Sequence, residues 1–335
     1  DTNTFAPTNY ARDYANGSLA QTGSVVGSLV HNFLGNRLGN IRGCVNDPFV
    51  AVIGLHFNQK EISGFGHNGN IYGLLLGLDF VHECSENSHL RYGLSTSYFQ
   101  SKLTFFGQSS AKGKDSKQIN YLATLFGSYE HFNGRHLKRW FGGSVGGGYV
   151  DTKMRRCDPL DVHYAADFAG LQLHMRGEGV VNIFRRKDMQ MGPWVAISFD
   201  LIHQQGYEET APLGGLHTAS ISAVDHSFLN SIIGWNMEKD LTCRDNGKSC
   251  VGISGKIGWD CQVLRNHSNP IANVNGAGYK PYAPTFGYRN RNSMVAMLNY
   301  RHLFCRHWEF VTHWQGNFNG TYKANQLSGS IGYNF

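Results

Sequence analysis

The sequence predicts an all-β fold: a transmembrane antiparallel β-barrel of about twelve strands with an N-terminal α-helix in the pore. Three observations predict it. Strand-length segments alternate apolar and polar residues, the connections between them alternate in length, and the last segment alternates up to a terminal aromatic residue. A period of two places apolar side chains on one face of a strand, which in a membrane barrel faces lipid, while the polar face lines a wet lumen.

The composition of the 335-residue chain is typical of such a barrel. It has 41 Gly, 16% charged and 13% aromatic residues, and a mean hydropathy of -0.34. Alternating faces cancel in a sliding average, so a membrane barrel is neither apolar in blocks nor richly charged. No segment approaches the roughly 18 consecutive apolar residues that a spanning helix requires.

The first predicted element is a pore helix over Leu19–Arg42, preceded by a linker remnant at residues 1–18. Each helical glycine costs about 1 kcal/mol relative to alanine, so a helix this rich in glycine needs surroundings that hold it. A later segment supplies a wall of small residues, namely Gly142, Ser144, Gly146 and Gly148. The residues taken to mark the pore helix are Val25, Leu29, Phe33 and Arg37. A flexible linker is the alternative for this segment.

Twelve strand-length segments follow within a barrel domain predicted over residues 43–335. They are Phe49–Gln59, Ile71–His82, Leu90–Phe106, Gln118–Phe132, Trp140–Thr152, Leu171–Phe184, Met189–His203, Phe228–Met237, Cys250–Leu264, Ser293–Phe304, Trp308–Phe318 and Lys323–Phe335. In the last of them Leu327, Ile331, Tyr333 and Phe335 share one face, opposite Gln326, Ser328 and Ser330. A β-sandwich explains this alternation equally well.

Connection lengths favour the barrel. Long or intermediate connections follow the first, third, fifth, seventh and ninth segments, and short ones follow the second, fourth, sixth and tenth. This parity places the long loops at one end, as in outer-membrane barrels with short periplasmic turns. Glu238–Ser249 is longer than the rule expects, and Asn319–Tyr322 is shorter.

Charge and cysteine patterns exclude several functions. The net charge of +6 is scattered, and Arg185–Lys187 is the one tight basic run, so no nucleic-acid partner is predicted. Of the seven cysteines, Cys243 and Cys250 flank a polar turn suited to a local disulfide. The other cysteines and the sixteen histidines lack the paired spacing of a zinc module, so no metal or cofactor is predicted.

Three segments carry a family resemblance: Asn36–Arg42 at the end of the helix, Gly69–Phe80 and Arg91–Tyr98. With the aromatic end, they resemble the C-terminal β-barrel translocator domain of a classical autotransporter, a type V secretion protein. The resemblance implies a bacterial outer-membrane protein that is not an enzyme and that passes and displays its own N-terminal passenger. It also implies outer-membrane lipid, the barrel assembly machinery and periplasmic chaperones as partners.

The resemblance further implies an assembly signal in the last strand. Its matching positions are Ile331, Tyr333 and Phe335. Gly329 lies one residue from the usual signal glycine, and Ser330 stands in that place.

Some relatives release the passenger by self-cleavage at an asparagine of the pore helix, helped by lumenal carboxylates. The candidates here are Asn32 and Asn36, with Asp79, Glu130 or Asp200 as the acid. Neither asparagine precedes a second one, which is the commoner form of that junction.

Two other functions remain open from the sequence. One is a porin or adhesin barrel that binds through its long loops, especially Gln204–Ser227 and Arg265–Asn292. The other is a secreted β-sandwich lectin or hydrolase.

Overall fold

A computed structural model gives the fold. It describes residues 6–40, 47–62, 65–85, 87–107, 115–132, 137–157, 162–186, 188–211, 218–244, 249–268, 271–274, 291–304 and 307–333. Within them a helix, α1 (Ala6–Asn40), precedes twelve long strands. The strands are β1 (Asp47–Ile62), β2 (Phe65–Ser85), β3 (Ser88–Gly107), β4 (Asp115–Phe132), β5 (Lys138–Cys157), β6 (His163–Val181), β7 (Met189–Gln204), β8 (Val224–Arg244), β9 (Ser249–His267), β10 (Asn292–Phe304), β11 (Trp308–Phe318) and β12 (Tyr322–Tyr333).

The twelve strands form a closed antiparallel barrel. Each pairs with the next along the chain, and β12 pairs with β1, with Phe49 opposite Gly332 and Gln59 opposite Tyr322. Closure removes the exposed edges of the sheet. The predicted fold class and strand number are confirmed.

Side chains are distributed inside out relative to a soluble barrel. Leu125, Leu327 and Ile233 are 61%, 63% and 70% exposed on the outer surface. Thr124 and Gln326, next to Leu125 and Leu327 in sequence, are buried inside. This contradicts the β-sandwich alternative, which requires the apolar face to be the buried one.

Two levels of aromatic side chains bound the apolar outer band. Tyr98, Tyr121 and Tyr149 are in register on β3, β4 and β5, while Tyr129 pairs with Phe141 eight residues further along β4. Eight residues of a strand tilted by about 40° span about 20 Å of height, close to the apolar band of outer-membrane barrels. Among the described residues, no helix combines the length and hydropathy needed to span a membrane.

The longest connections, 205–223 and 268–291, leave the barrel at the same end, called here the long-connection end. They contribute a small sheet formed by Tyr207–Glu208, Ala219–Ile221 and Ala272–Val274. The opposite, short-turn end carries the connections β2–β3, β4–β5, β6–β7, β8–β9 and β10–β11.

Several strands extend further toward the long-connection end than predicted. β6 begins at His163 rather than Leu171, and β1 and β2 continue to an Ile62–Phe65 pair, so the connection between them is short rather than long or intermediate. Toward this end of the barrel the faces invert. Leu103, Met154 and Phe168 point inward, while their neighbours Lys102, Lys153 and Asp167 are exposed outside. The lipid-facing pattern ends there because the strands have left the apolar band.

Two further boundaries differ. The connection β8–β9 was predicted to be anomalously long, but β8 runs to Arg244 and Cys243 pairs in register with Cys250. α1 begins at Ala6 rather than Leu19, and residues 41 and 42 lie outside the described residues. Pro7 does not prevent the earlier start, because proline is tolerated in the first turn of a helix.

Candidate functional site

α1 lies inside the barrel and fills most of its lumen. From residue 19 to residue 37 every side chain is buried except Val25 and Ser28, which are half-buried. Gln118, near the long-connection end of β4, donates its amide to the Leu19 carbonyl at 3.1 Å. Arg37 contacts groups at the short-turn end, so the nineteen residues from Leu19 to Arg37 span about 27 Å, roughly the thickness of a bilayer core.

The glycines of α1 allow it to approach one wall. A Cβ added at Gly27 would collide with the imidazole of His174, one at Gly35 with the carboxylate of Glu178, and one at Gly23 with Ile202. These wall residues lie on β6 and β7, and the glycines lie four and eight residues apart on the helix. The glycine positions that look unfavourable for an isolated helix are therefore its docking face.

We predict that Gly27→Val loosens this docking. A valine at this position must displace the His174 ring or the helix, and such overpacking costs about 1–3 kcal/mol. The refolded protein should then carry a larger mean ionic current across a planar lipid bilayer than the unsubstituted protein. Ser28→Val is the matched control, because Ser28 faces a cavity and should leave the current unchanged. Equal currents for the two variants would contradict this docking face.

A group of hydrogen-bonded side chains holds the part of α1 between Ser24 and His31. The Ser24 hydroxyl donates to Asp200 Oδ2 at 2.5 Å, and Asp200 Oδ1 lies 2.7 Å from His174 Nδ1. His31 bonds to Ser144, so the predicted wall of small residues does contact the helix, here through a polar group.

The C-terminal end of α1, at the short-turn end of the barrel, is held by a cluster of charged side chains, called here the Arg37 cluster. It comprises Arg37, Arg91 and Arg301 with Asp47, Asp79 and Glu309. Arg37 Nε lies 3.0 Å from Asp79 Oδ2, Nη1 3.3 Å from Glu309 Oε2, and Nη2 3.6 Å from Asp47 Oδ2. Arg91 also contacts both aspartates, and Arg301 Nε lies 2.6 Å from Glu309 Oε1.

The Arg37 cluster is balanced, with three guanidinium groups and three carboxylates. Its barrel members lie at the ends of β1, β2, β3, β10 and β11 that meet at the short-turn end. The guanidinium of Arg37 also lies over the Phe49 ring, 4.0 Å from its centroid, and Phe33 packs against the same ring. A planar guanidinium with several donors is suited to link carboxylates from separate strands.

A small cavity of about 50 Å³ lies beside α1 in the part of the lumen that the structure describes. Val25, Ser28 and Asn32 of the helix line it, with Asn230, Gln315 and Gln326 among the wall residues. Among the described residues, the acceptor oxygens of Asn32, Asn230, Gln315 and Gln326 have no hydrogen-bond partner. The cavity has room for a few water molecules, at about 10–15 Å³ each by this measure, but not for a polypeptide.

The four predicted pore-helix residues all line the lumen. Leu29, Phe33 and Arg37 are buried, and Val25 faces the cavity. Sequence reasoning missed Asp47, Arg91, Arg301 and Glu309. What the sequence offered was a charged residue at a lumen-facing position of the alternating pattern, close to the end of a strand.

Asn36, one of the two candidate cleavage residues, has hydrogen-bond partners on β10 and β11. The Asn36 amide nitrogen is 3.1 Å from His313 Nδ1, and Asn299 donates to its oxygen at 3.4 Å. Asp79 pairs with arginines, Asp200 with Ser24 and His174, and Glu130 with Lys138. Self-cleavage at Asn32 or Asn36 stays a prediction.

The cysteine and assembly-signal predictions fall partly outside the described side chains. Cys250 is disulfide-bonded, and its backbone lies opposite Cys243. Ile331 is on the outer surface and Tyr333 packs edge-on against Trp308, with ring centroids 4.8 Å apart. Phe335 lies outside the described residues. Among the described residues no cluster of three metal-ligating side chains occurs.

Comparison with protein families decides what this plugged barrel is. The family model of the autotransporter β-domain matches residues 49–310. The chain belongs to the autotransporter β-domain family. As an autotransporter β-domain, it is a transport unit rather than an enzyme.

Solved structures of autotransporters share the fold. The translocator domain of autotransporter NalP from Neisseria meningitidis aligns with a TM-score of 0.68 at 15% identity, covering 97% of this chain and 100% of that one. The β-domain of the Bordetella autotransporter BrkA aligns with a TM-score of 0.64 at 11% identity, covering 87% and 100%. No curated protein sequence matches this chain.

Proposed function

We propose that this autotransporter β-domain passes an N-terminal passenger through its lumen, across the bacterial outer membrane, and that α1 then closes the lumen. One observation carries the proposal: α1 occupies a closed barrel from end to end, yet it is held by contacts that can form after passage. Its docking face is glycine, and Arg37, the one charged residue between residues 19 and 37, joins carboxylates already placed by the wall.

The direction of α1 supports this orientation. Its C-terminal end lies at the short-turn end, where β1 begins, so its N-terminal end points to the long-connection end. Residues 6–18 continue the helix by about 20 Å beyond Leu19. A segment attached ahead of α1 would leave the barrel at the long-connection end, which is the extracellular end in outer-membrane barrels.

The lumen does not favour the porin alternative. A porin requires a continuous water-filled channel, whereas the side chains of α1 from residue 19 to residue 37 are buried or half-buried within the lumen.

The proposed partners follow from the same location. They are the domain's own N-terminal passenger, outer-membrane lipid, periplasmic chaperones and the barrel assembly machinery, which would read Ile331, Tyr333 and Phe335. We also propose a Cys243–Cys250 disulfide. It would lie at the periplasmic end, and periplasm is a compartment that allows disulfides.

Surface display tests this function. An export signal and an epitope are placed ahead of Asp1, and the fusion is expressed in a Gram-negative host. We expect external protease to remove the epitope from intact cells while the barrel keeps its heat-modifiable gel mobility. A control chain ending at Phe318 lacks β12, cannot close, and should display nothing. An epitope that stays protected although the full barrel has assembled would refute translocation.

A further inference from the structure

Three lysines on the outer surface form a row, called here the lysine row. Lys102 on β3 lies directly opposite Lys117 on β4, and Lys117 lies directly opposite Lys153 on β5. All three side chains are exposed on the outward face. The row therefore spans three neighbouring strands at one level of the barrel.

The depth of the row follows from the register. Tyr98, Tyr121 and Tyr149 are also opposite one another, and each lysine lies four residues beyond one of these tyrosines toward the long-connection end. Four residues correspond to about 13 Å along a strand and about 10 Å in height. The tyrosines mark the edge of the apolar band, so the lysines lie at the depth of lipid headgroups. At this level Leu103 and Met154 already point inward.

Like charges placed directly opposite each other in a sheet destabilise it. Lys102 is partly compensated by Asp115, whose Oδ2 is 2.6 Å from its Nζ. In the part of the chain that the structure describes, no carboxylate is within ion-pair distance of Lys117 or Lys153, although Asp167 is opposite Lys153 in register. Asp115 also attracts Lys117 electrostatically from beyond ion-pair distance, so the charge of Lys117 is compensated less than that of Lys102. The Lys153 ammonium group has no ion pair among the described residues.

We propose that the lysine row binds the phosphate groups of a phosphorylated glycolipid of the outer leaflet. The proposal rests on the outer-membrane location argued above. Neighbouring strands lie about 4.8 Å apart, so the row spans about 10 Å, which suits a headgroup carrying more than one phosphate. Lysine side chains can lie along the apolar surface while the ammonium groups reach the phosphates.

The test measures lipid retained by the purified, refolded protein in native mass spectrometry. The probes are bisphosphorylated lipid A, the same glycolipid with both phosphates removed, and phosphatidylglycerol. We expect retention of the bisphosphorylated form, with loss of at least about tenfold for the dephosphorylated form and for the Lys102→Gln, Lys117→Gln, Lys153→Gln triple variant. Phosphatidylglycerol should also bind at least about tenfold more weakly.

The matched control removes three exposed positive charges at the short-turn end, through Arg139→Gln, Arg185→Gln and Lys239→Gln. It should retain the glycolipid fully. Equal retention by the lysine variant, equal binding of the dephosphorylated form, or equal binding of phosphatidylglycerol would overturn the proposal. Because the lipid test uses purified protein, it fails or succeeds independently of surface display. The comparison of bisphosphorylated with dephosphorylated glycolipid uses the unsubstituted protein. Its result therefore does not depend on how well the triple variant refolds.

Discussion

Removing α1 should convert a closed barrel into an open channel. An α-helix with its side chains is about 10 Å wide, and the side chains of α1 from residue 19 to residue 37 are buried or half-buried in the lumen. A chain that begins at residue 41 should therefore show a steady ionic current in planar bilayers, at least about tenfold above the mean current of the full chain. The barrel itself should persist, because closure depends on strand pairing between β1 and β12.

The experiment separates a plug from a merely attached helix. Heat-modifiable gel mobility of the shortened chain controls for barrel formation. A synthetic peptide of residues 6–40, added from the side of the long-connection end, should reduce the current if docking is reversible. A shortened, folded barrel that conducts no more than the full chain would contradict the assignment of α1 as the plug.

The barrel could be predicted from the sequence because its signal is local. Within the apolar band, parity alone assigns faces, and Val195, Ile197, Ala196 and Ser198 all point as their positions predict. Beyond the band the alternation continues, but the apolar side chains point inward and the polar ones outward, as at Phe168 and Asp167. A rule that expects apolar residues on the outer face therefore began β6 at Leu171 instead of His163. The early start of α1 was missed because Ala6–Ser18 shows no apolar face that marks a helix.

The contacts of the site could be predicted only in part. The spacing of Gly23, Gly27 and Gly35 was visible as a cluster of small residues, but the wall residues they meet depend on the rotation of α1 in the lumen. Arg37 and Glu309 are 272 residues apart, and only the closure of the barrel brings them together. No local pattern encodes a contact that depends on the register of several strands.

Replacing Arg37 should release the C-terminal end of α1 from the barrel wall. Arg37→Met leaves Asp47, Asp79 and Glu309 with two arginines instead of three, so one buried carboxylate loses its counter-charge. Removing one partner from a buried ion pair typically costs about 3–5 kcal/mol. Arg37 is 1% exposed, so little solvent screening reduces this cost. At about 1.4 kcal/mol per factor of ten, the lower estimate corresponds to about a hundredfold weaker docking of α1.

The charge balance of the Arg37 cluster supplies the sharpest control. Arg37→Met combined with Asp79→Asn restores two arginines and two carboxylates, so the double variant should conduct less than Arg37→Met alone. Exposed Arg155→Met should behave as the unsubstituted protein in the same bilayer measurement. If the double variant leaks as much as Arg37→Met, the stabilisation comes from packing of Arg37 over Phe49 rather than from paired charge. If the Arg37→Met variant conducts no more than the unsubstituted protein, the contacts at Ser24, Gly27 and His31 are sufficient to hold α1 in the lumen.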